Sequence, residues 1–523
     1  MVGWPRDRLA RIPLMTTINI GNGELTLETL ALAAGGGARF GLDEAARGRV
    51  RASRAALESI MSRGEPIYGT NTGFGLLSDV RIADGDVERL QENLIRSHCA
   101  GTGEPLPAPV VRVMMILRAW VLSAGHSAVR AELLDLLVGM LNADIVPYVP
   151  SRGSVGASGD LAPLAHLSLA LMGEGDVFHE GRRTAASGAM EAAGLRPLRL
   201  ACREGLALVN GTQAMTASGV LSLVDAESLA TQADIAGAMT LDSLLGSARP
   251  FDERLASLRR HPGHAACSAN MRALLAGSAL MESHRSCGKV QDSYSLRCMP
   301  QVHGAARDAL AYVRRVLSIE VNAVTDNPIF FPETGEALPG GNFHGAPVAQ
   351  AMDLLCIGMT DLASISERRT ERMVNPAMSG MPAFLARNPG LESGLMMAQV
   401  TAAALVSECK MLSHPASVDS IPTGAGKEDH VSMGVTAALK ASQVVAHCEA
   451  VLGIELMTAA AALDLRRPLR SSRAIEAVHA LLRSGVAELT ADRVLTGDID
   501  AVRRMLREGE VRAAAETVTG ALS

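Results

Sequence analysis

Gly153-Ser154-Val155-Gly156-Ala157-Ser158-Gly159-Asp160-Leu161-Ala162-Pro163-Leu164 sets three glycines, three residues apart, in front of an aspartate and an apolar run. Glycine frees the backbone to turn tightly, and a tight turn is what the Gly159 amide nitrogen needs to reach the Ala157 carbonyl carbon. Ring closure there, with loss of two waters, gives a 4-methylidene-imidazol-5-one (MIO). This electrophile is built from Ala157, Ser158 and Gly159 and requires no soluble cofactor. The plain alternative is a Gly-rich loop. On either reading a helix starts at Asp160, which caps it, with Pro163 tolerated in the first turn.

Outward from this segment the pattern is helical. Amphipathic runs cover Leu42–Ser62, Val87–Ser97, Ala108–Ser123 and Ala131–Leu141. Longer apolar runs follow at Thr212–Leu245, His303–Leu317, Ala346–Arg372, Ser393–Leu412 and His430–Ala462, as expected of helices buried in a bundle or between subunits. Ala474–Leu522 reads as three shorter helices, and Thr17–Leu27 as a short β-hairpin. The expected fold is mostly α, with a central bundle of long helices. Residues 1–16 are expected to be a disordered extension, with Met1 or Met15 the start. Residues 17–523 are expected to form one helical unit: an N-terminal part (17–210), the bundle (211–470) and C-terminal helices (471–523).

Composition narrows the function. In 523 residues the formal net charge is -6 and the two signs are mixed, so no basic surface for nucleic acid is expected. The eight cysteines are scattered without a CxxC pair and read as reduced core residues of a cytoplasmic protein. No apolar signal core precedes Pro13. Val110–Ala124, taken as the most apolar stretch, contains Arg112 and Arg118 and is too short to span a bilayer. The expected partner is a small molecule, not a nucleic acid or a membrane.

Gly/Asn/Pro-rich segments at Pro66–Gly75, Gly153–Gly159, Asn327–Gly345 and Ser413–Gly426 separate the helices, and such loops carry function on helical scaffolds. Six motifs stand out, four of them in or beside these segments: Tyr68-Gly-Thr-Asn-Thr-Gly-Phe-Gly75, Gly156-Ala-Ser-Gly-Asp-Leu-Ala-Pro-Leu164, Glu204-Gly-Leu-Ala-Leu-Val-Asn-Gly-Thr212, Asp292-Ser-Tyr-Ser-Leu-Arg-Cys298, Gly341-Asn-Phe-His-Gly345 and Glu428-Asp-His-Val-Ser-Met433. In this order they resemble the MIO-dependent aromatic amino acid ammonia-lyases, and within them the histidine-specific branch, from about Ile18 to the last helices.

That resemblance implies a fold like the fumarase-like helical lyases, a homotetramer with active sites shared between subunits, and elimination of ammonia from L-histidine to give trans-urocanate. It also assigns roles. MIO bonds the substrate amine and makes it a better leaving group. Tyr68 takes the β-proton, for which a tyrosine needs nearby positive charge or hydrogen-bond donors. Arg297 holds the carboxylate as a planar bidentate donor. Asn210 serves the MIO carbonyl or the amine, and Gln291, Tyr294 and Phe343 line the site. His98, Met396 and Glu428 meet the side chain, with Glu428 pairing with the imidazole or moving a proton.

Three positions depart from the histidine-specific pattern. Lys427 stands where Gln is usual and Met299 follows Arg-Cys in place of Gln, both where the ring would be read; His303 is also atypical. The alternatives are therefore a lyase or 2,3-aminomutase acting on tyrosine, phenylalanine or a modified histidine, and a non-catalytic scaffold. Gly424-Ala-Gly-Lys427 lacks the Ser/Thr and first glycine of a phosphate loop. His261-Pro-Gly-His264 reads as a turn with too few partners for a metal, Gly35-Gly-Gly37 as a loop, and no metal is expected.

Overall fold

The computed structural model describes residues 17–523. The expected extension at 1–16 and the choice of start residue lie outside the described residues. Two compact units are formed. One holds the described residues up to Leu221 with Arg315–Asp353 and Pro415–Leu439; the other holds Ser222–Arg314, Leu354–His414 and Lys440–Ser523.

In the first unit Thr17–Ile20 pairs in parallel with Arg39–Leu42, which corrects the expected hairpin. A parallel pair needs a crossover. The apolar run Leu27–Ala34 supplies it as a helix, capped by the Thr26 side chain on the Thr29 amide. Helix Ala108–Ser123 is not amphipathic as expected, because Val110–Ser123 is buried on every side. Its two arginines are internal anchors. Arg112 reaches Asp144 at 2.5 Å. Arg118, fully buried, donates to the Ala207 and Asn210 carbonyls at 2.6 and 2.7 Å and to Gln213 Oε1 at 2.6 Å. Helices Glu44–Ser62, Val87–His98 and Ala131–Asn142 follow the sequence pattern to within two residues.

The long runs become helices Gln213–Ser243, Met299–Glu320, Ala346–Val374, Met396–Leu412 and Gly434–Asp464. Within the second unit, four of them meet in a buried polar cluster. Glu455 accepts from Arg369 through Nε at 2.5 Å and Nη2 at 2.8 Å, and from Thr240 and Ser366 at 2.8 and 2.6 Å. Arg369 Nη1 lies 3.1 Å from His303 Nε2, and His303 Nδ1 lies 2.7 Å from Asp234 Oδ1. Arginine only donates, so Nε2 accepts and the His303 proton sits on Nδ1. Burial pushes the His303 imidazole below its ordinary value, so it is held neutral. His303 and Met299 are fully buried, and a side chain at Gly237 would collide with the Met299 sulfur. Both positions are explained by core packing, which corrects the expectation that Met299 reads a substrate ring. Cys267 approaches Asp234 and His303, with ligand-type atoms within 4.8 Å of one another, yet both His303 nitrogens are already engaged.

Helices Ala346–Val374 and Gly434–Asp464, unlike the shorter Val110–Ala124 stretch, are long and apolar enough to cross a bilayer by length and composition alone. Buried residues make up 67% and 89% of their most apolar windows. Pro262 opens helix Pro262–Leu275, with His261 at the N-cap; the predicted turn is a helix start, where proline has no amide to lose. None of the eight cysteines, all of them among the described residues, forms a disulfide. Arg473–Gly485, Thr496–Arg507 and Glu510–Thr519 are the three expected C-terminal helices.

Glu455→Leu leaves Arg369 buried without its carboxylate and should cost about 3–5 kcal/mol, whereas the double change with Arg369→Met should recover much of that loss. Denaturant unfolding of the three chains checks this. Equal stabilities for the single and double variants would contradict it.

Candidate active site

Gly156 and Gly159 have φ of +70° and +80°, a region that costs glycine little. At Gly159 the requirement is absolute, since a Cβ there would lie 2.2 Å from the Gly211 oxygen. The Asp160 amide donates to that oxygen at 2.7 Å. The Asp160 side chain does not cap its own helix, Leu161–Leu171. Its Oδ2 instead accepts from the Ala214 and Met215 amides at 2.8 and 2.9 Å, in the first turn of Gln213–Ser243. The expected cap is thus corrected: the Asp160–Gly211 contact sets the carboxylate at the start of the longer helix. Full burial pushes its pKa up to about 7, against the pull of the two amides.

Ser158 Oγ donates to Glu428 Oε1 at 3.3 Å, and Glu428 Oε2 accepts from Thr423 Oγ1 at 2.6 Å. The Glu428–Met433 motif lies along the Gly-rich segment. The Met433 amide donates to the Val155 carbonyl at 2.9 Å, and Ser432 Oγ to the Gly156 carbonyl at 3.2 Å. Ala157, Ser158, Gly159 and Glu428 are therefore brought together as a unit.

Tyr68 is half-buried on its loop, with its ring edge-on to Phe74 at 6.4 Å. The Gly75 amide donates to its phenolic oxygen at 3.1 Å, a donor of the sort a tyrosine base calls for. One buried side chain ties this loop to the Glu204–Thr212 motif. Gln91 Nε2 donates to the Gly69 carbonyl at 3.1 Å, and Gln91 Oε1 accepts from the Leu206 amide at 3.2 Å. Gln91 belongs to helix Val87–His98, and Leu206 to helix Glu204–Val209, which ends at Asn210. Asn210 is buried and donates through Nδ2 to the Asn327 carbonyl at 2.8 Å.

His98 ends its helix half-buried, Nδ1 3.1 Å from Ser97 Oγ. Burial lowers its pKa and the Glu428 charge opposes that shift. Phe343 is half-buried in the turn before Ala346–Val374. Lys427 is exposed, and among the described residues it makes no ion pair.

Gln291, Tyr294, Arg297 and Met396 belong to the second unit. Gln291 is exposed, Tyr294 is 71% exposed, and the Arg297 guanidinium lies 4.7 Å from the Tyr294 ring centroid. Arg297 is half-buried, and its Nε has no hydrogen-bond partner among the described residues. Met396 is half-buried at the start of Met396–Leu412. Sequence reasoning missed Gln91, Arg118 and Thr423. A charge inside an apolar run marked Arg118, and an amide on an apolar helix face marked Gln91; nothing in the spacing marked Thr423.

Residues 25–484 match the family model for aromatic amino acid lyases. The chain is 57% identical over 504 residues to a histidine ammonia-lyase of Anaeromyxobacter sp. (strain K), covering 95% of this chain and 99% of that one. It is 51% identical over 508 residues to the histidine ammonia-lyase of Symbiobacterium thermophilum, covering 97% and 100%. Among solved structures it resembles the histidine ammonia-lyase of Trypanosoma cruzi, with a TM-score of 0.89 and 41% identity over 96% of each chain. It also resembles the tyrosine aminomutase of Streptomyces globisporus, with a TM-score of 0.91 and 36% identity over 97% and 100%. The chain belongs to the aromatic amino acid lyase family.

Asp160 holds a proton in the fold that the unfolded chain gives up near its ordinary value of 3.8. The folded state binds more protons between about pH 4 and 7, so this group makes stability fall as pH rises through that window. Asp160→Asn should lack that slope. Thermal unfolding of both chains across the window checks it, and parallel curves would contradict it.

Proposed function

We propose that this chain is a carbon–nitrogen lyase that eliminates ammonia from L-histidine to give trans-urocanate, using MIO formed from its own Ala157, Ser158 and Gly159. The observation that carries the reading is the pinned tripeptide. Gly159 has no room for a side chain beside Gly211, and the Ser158 hydroxyl already rests on a carboxylate. These residues fit the group. Once formed, it supplies the electrophile that takes the substrate amine and turns it into a leaving group. Histidine ammonia-lyases at 51–57% identity support the choice of substrate.

Each remaining task falls to a side chain. Arg297 binds the substrate carboxylate as a planar donor. Tyr68 Oη takes the β-proton. Asn210 orients the amine and the ring carbonyl through its amide. His98, held neutral by burial, and Glu428 meet the substrate imidazole, with Phe343, Gln291, Tyr294, Met396 and Lys427 completing the walls. We further propose a cytoplasmic homotetramer whose subunits complete one another's sites. The large exposed apolar side chains of Leu391, Met411 and Val418, at 87%, 70% and 75% exposure, support association. The likeness to a tyrosine aminomutase favours one second reading, a 2,3-aminomutase acting on tyrosine.

Incubation with L-histidine should yield urocanate and ammonia, whereas a β-amino acid from tyrosine, with histidine untouched, would establish the second reading. Tyr68→Phe should keep the ultraviolet absorbance of MIO and lose turnover by about 10²–10⁴-fold. Ser158→Ala, with no hydroxyl to expel, should lose both. Near-normal kcat in Tyr68→Phe would overturn the role of Tyr68.

A further inference from the structure

We propose that Glu428, held in place by Thr423, is the acid that releases the Ser158 hydroxyl while the chain matures; this rests on the reading that Ala157-Ser158-Gly159 closes into MIO. Among the described residues, the Glu428 carboxyl group is the one hydrogen-bond partner of the Ser158 side chain. Hydroxide is a poor leaving group and water a good one, so expulsion of Oγ needs a proton donor within reach. Glu428 Oε1 is at 3.3 Å from it.

The surroundings of Glu428 fix that contact. Thr423 Oγ1 holds the other carboxylate oxygen at 2.6 Å. The backbones of the two residues pair, Thr423 amide to Glu428 carbonyl at 3.0 Å and Glu428 amide to Thr423 carbonyl at 3.4 Å. The turn between them passes through Gly424 at φ +56°, where a Cβ would come within 3.0 Å of the carboxyl carbon. The loop closes against the carboxyl group and leaves Oε1 directed to Ser158.

The step balances. The Cα–H bond of Ser158 breaks, and its electron pair becomes the Cα=Cβ bond. At rest the Glu428 carboxylate accepts from the Ser158 hydroxyl; it takes the proton released from Cα and passes it to Oγ as the Cβ–Oγ bond breaks with its pair on oxygen. Oγ departs as water, and the carboxylate is restored. No oxidant or further reactant is needed. With Oγ gone, Oε1 has lost its partner and is free to meet the substrate imidazole, so one carboxyl serves first maturation and then turnover. Thr423 acts only through Glu428 and is a positioning residue.

The test is the mass of the full-length chain, and of the peptide spanning residue 158, at intervals after synthesis. It compares the wild type with Glu428→Gln, Thr423→Val and Thr423→Ser, with circular dichroism to confirm folding. The wild type should be light by two waters. Glu428→Gln should keep the Ser158 hydroxyl and be light by one water at most, maturing about a hundredfold more slowly or worse. Thr423→Val should also slow, and Thr423→Ser, which restores a hydroxyl, should mature like the wild type. A folded Glu428→Gln chain that loses both waters at the wild-type rate overturns the proposal. Normal maturation of Thr423→Val overturns the part assigned to Thr423. A wild-type chain that loses no water overturns the underlying reading of the tripeptide instead, which separates the two failures.

Discussion

The hydrogen bond from the Asp160 amide to the Gly211 carbonyl, at 2.7 Å, is the contact on which the rest of the site depends. It joins the end of the Gly-rich segment to the residue that follows Asn210, and it is possible only because neither Gly159 nor Gly211 has a side chain. A Cβ on Gly211 would meet Gln213 Oε1 at 2.4 Å and Arg118 Nη2 at 2.5 Å. The same junction seats the Asp160 carboxylate on the first turn of Gln213–Ser243 and the Arg118 guanidinium on the Asn210 carbonyl. A backbone held this tightly keeps the Ala157–Gly159 turn from relaxing into an extended loop. The cost is a fully buried acid and a fully buried arginine, each stabilised by several hydrogen bonds.

Buried polar groups play a parallel part in the second unit. A helix bundle of Ala, Leu and Met could slide in register with little penalty, since one apolar face resembles another. The Arg369–Glu455 pair, with Thr240, Ser366, His303 and Asp234 around it, is satisfied in one alignment of four helices. A shift by one turn would leave charges without partners in the core. Gln91 does the same for three loops and helix ends in the first unit, with one amide group.

Much of this was legible in the sequence. The long helices came out within a few residues, and the C-terminal tail as three helices, because long apolar runs bounded by Gly and Pro have few other solutions; shorter helices such as Glu204–Val209 and Pro262–Leu275 did not. The Ala157-Ser158-Gly159 turn stood out because glycines recur at intervals that only a tight backbone requires. What did not come through were long-range assignments of short polar side chains. Asp160 reads locally as a cap for the helix beside it, and only the tertiary approach of Gly211 hands it to another helix. Met299 looked like a ring contact because it stands directly after Arg297-Cys298, but helical geometry turns it, together with the atypical His303, into the core. Thr17–Leu27 looked like a hairpin because the partner strand, Arg39–Leu42, lies beyond an intervening helix. The proximity of Thr423 to Glu428 depends on a left-handed glycine between them, which the residue order alone does not signal.

The central claim is that this backbone closes on itself at residues 157–159. A high-resolution crystal structure of the wild-type chain tests it most directly, through the electron density between the Ala157 carbonyl carbon and the Gly159 nitrogen. The account predicts a covalent bond there, a planar five-membered ring and an exocyclic methylidene in place of the Ser158 side chain. An open tripeptide with an intact Ser158 hydroxyl, in a protein that is otherwise folded as described, would contradict it.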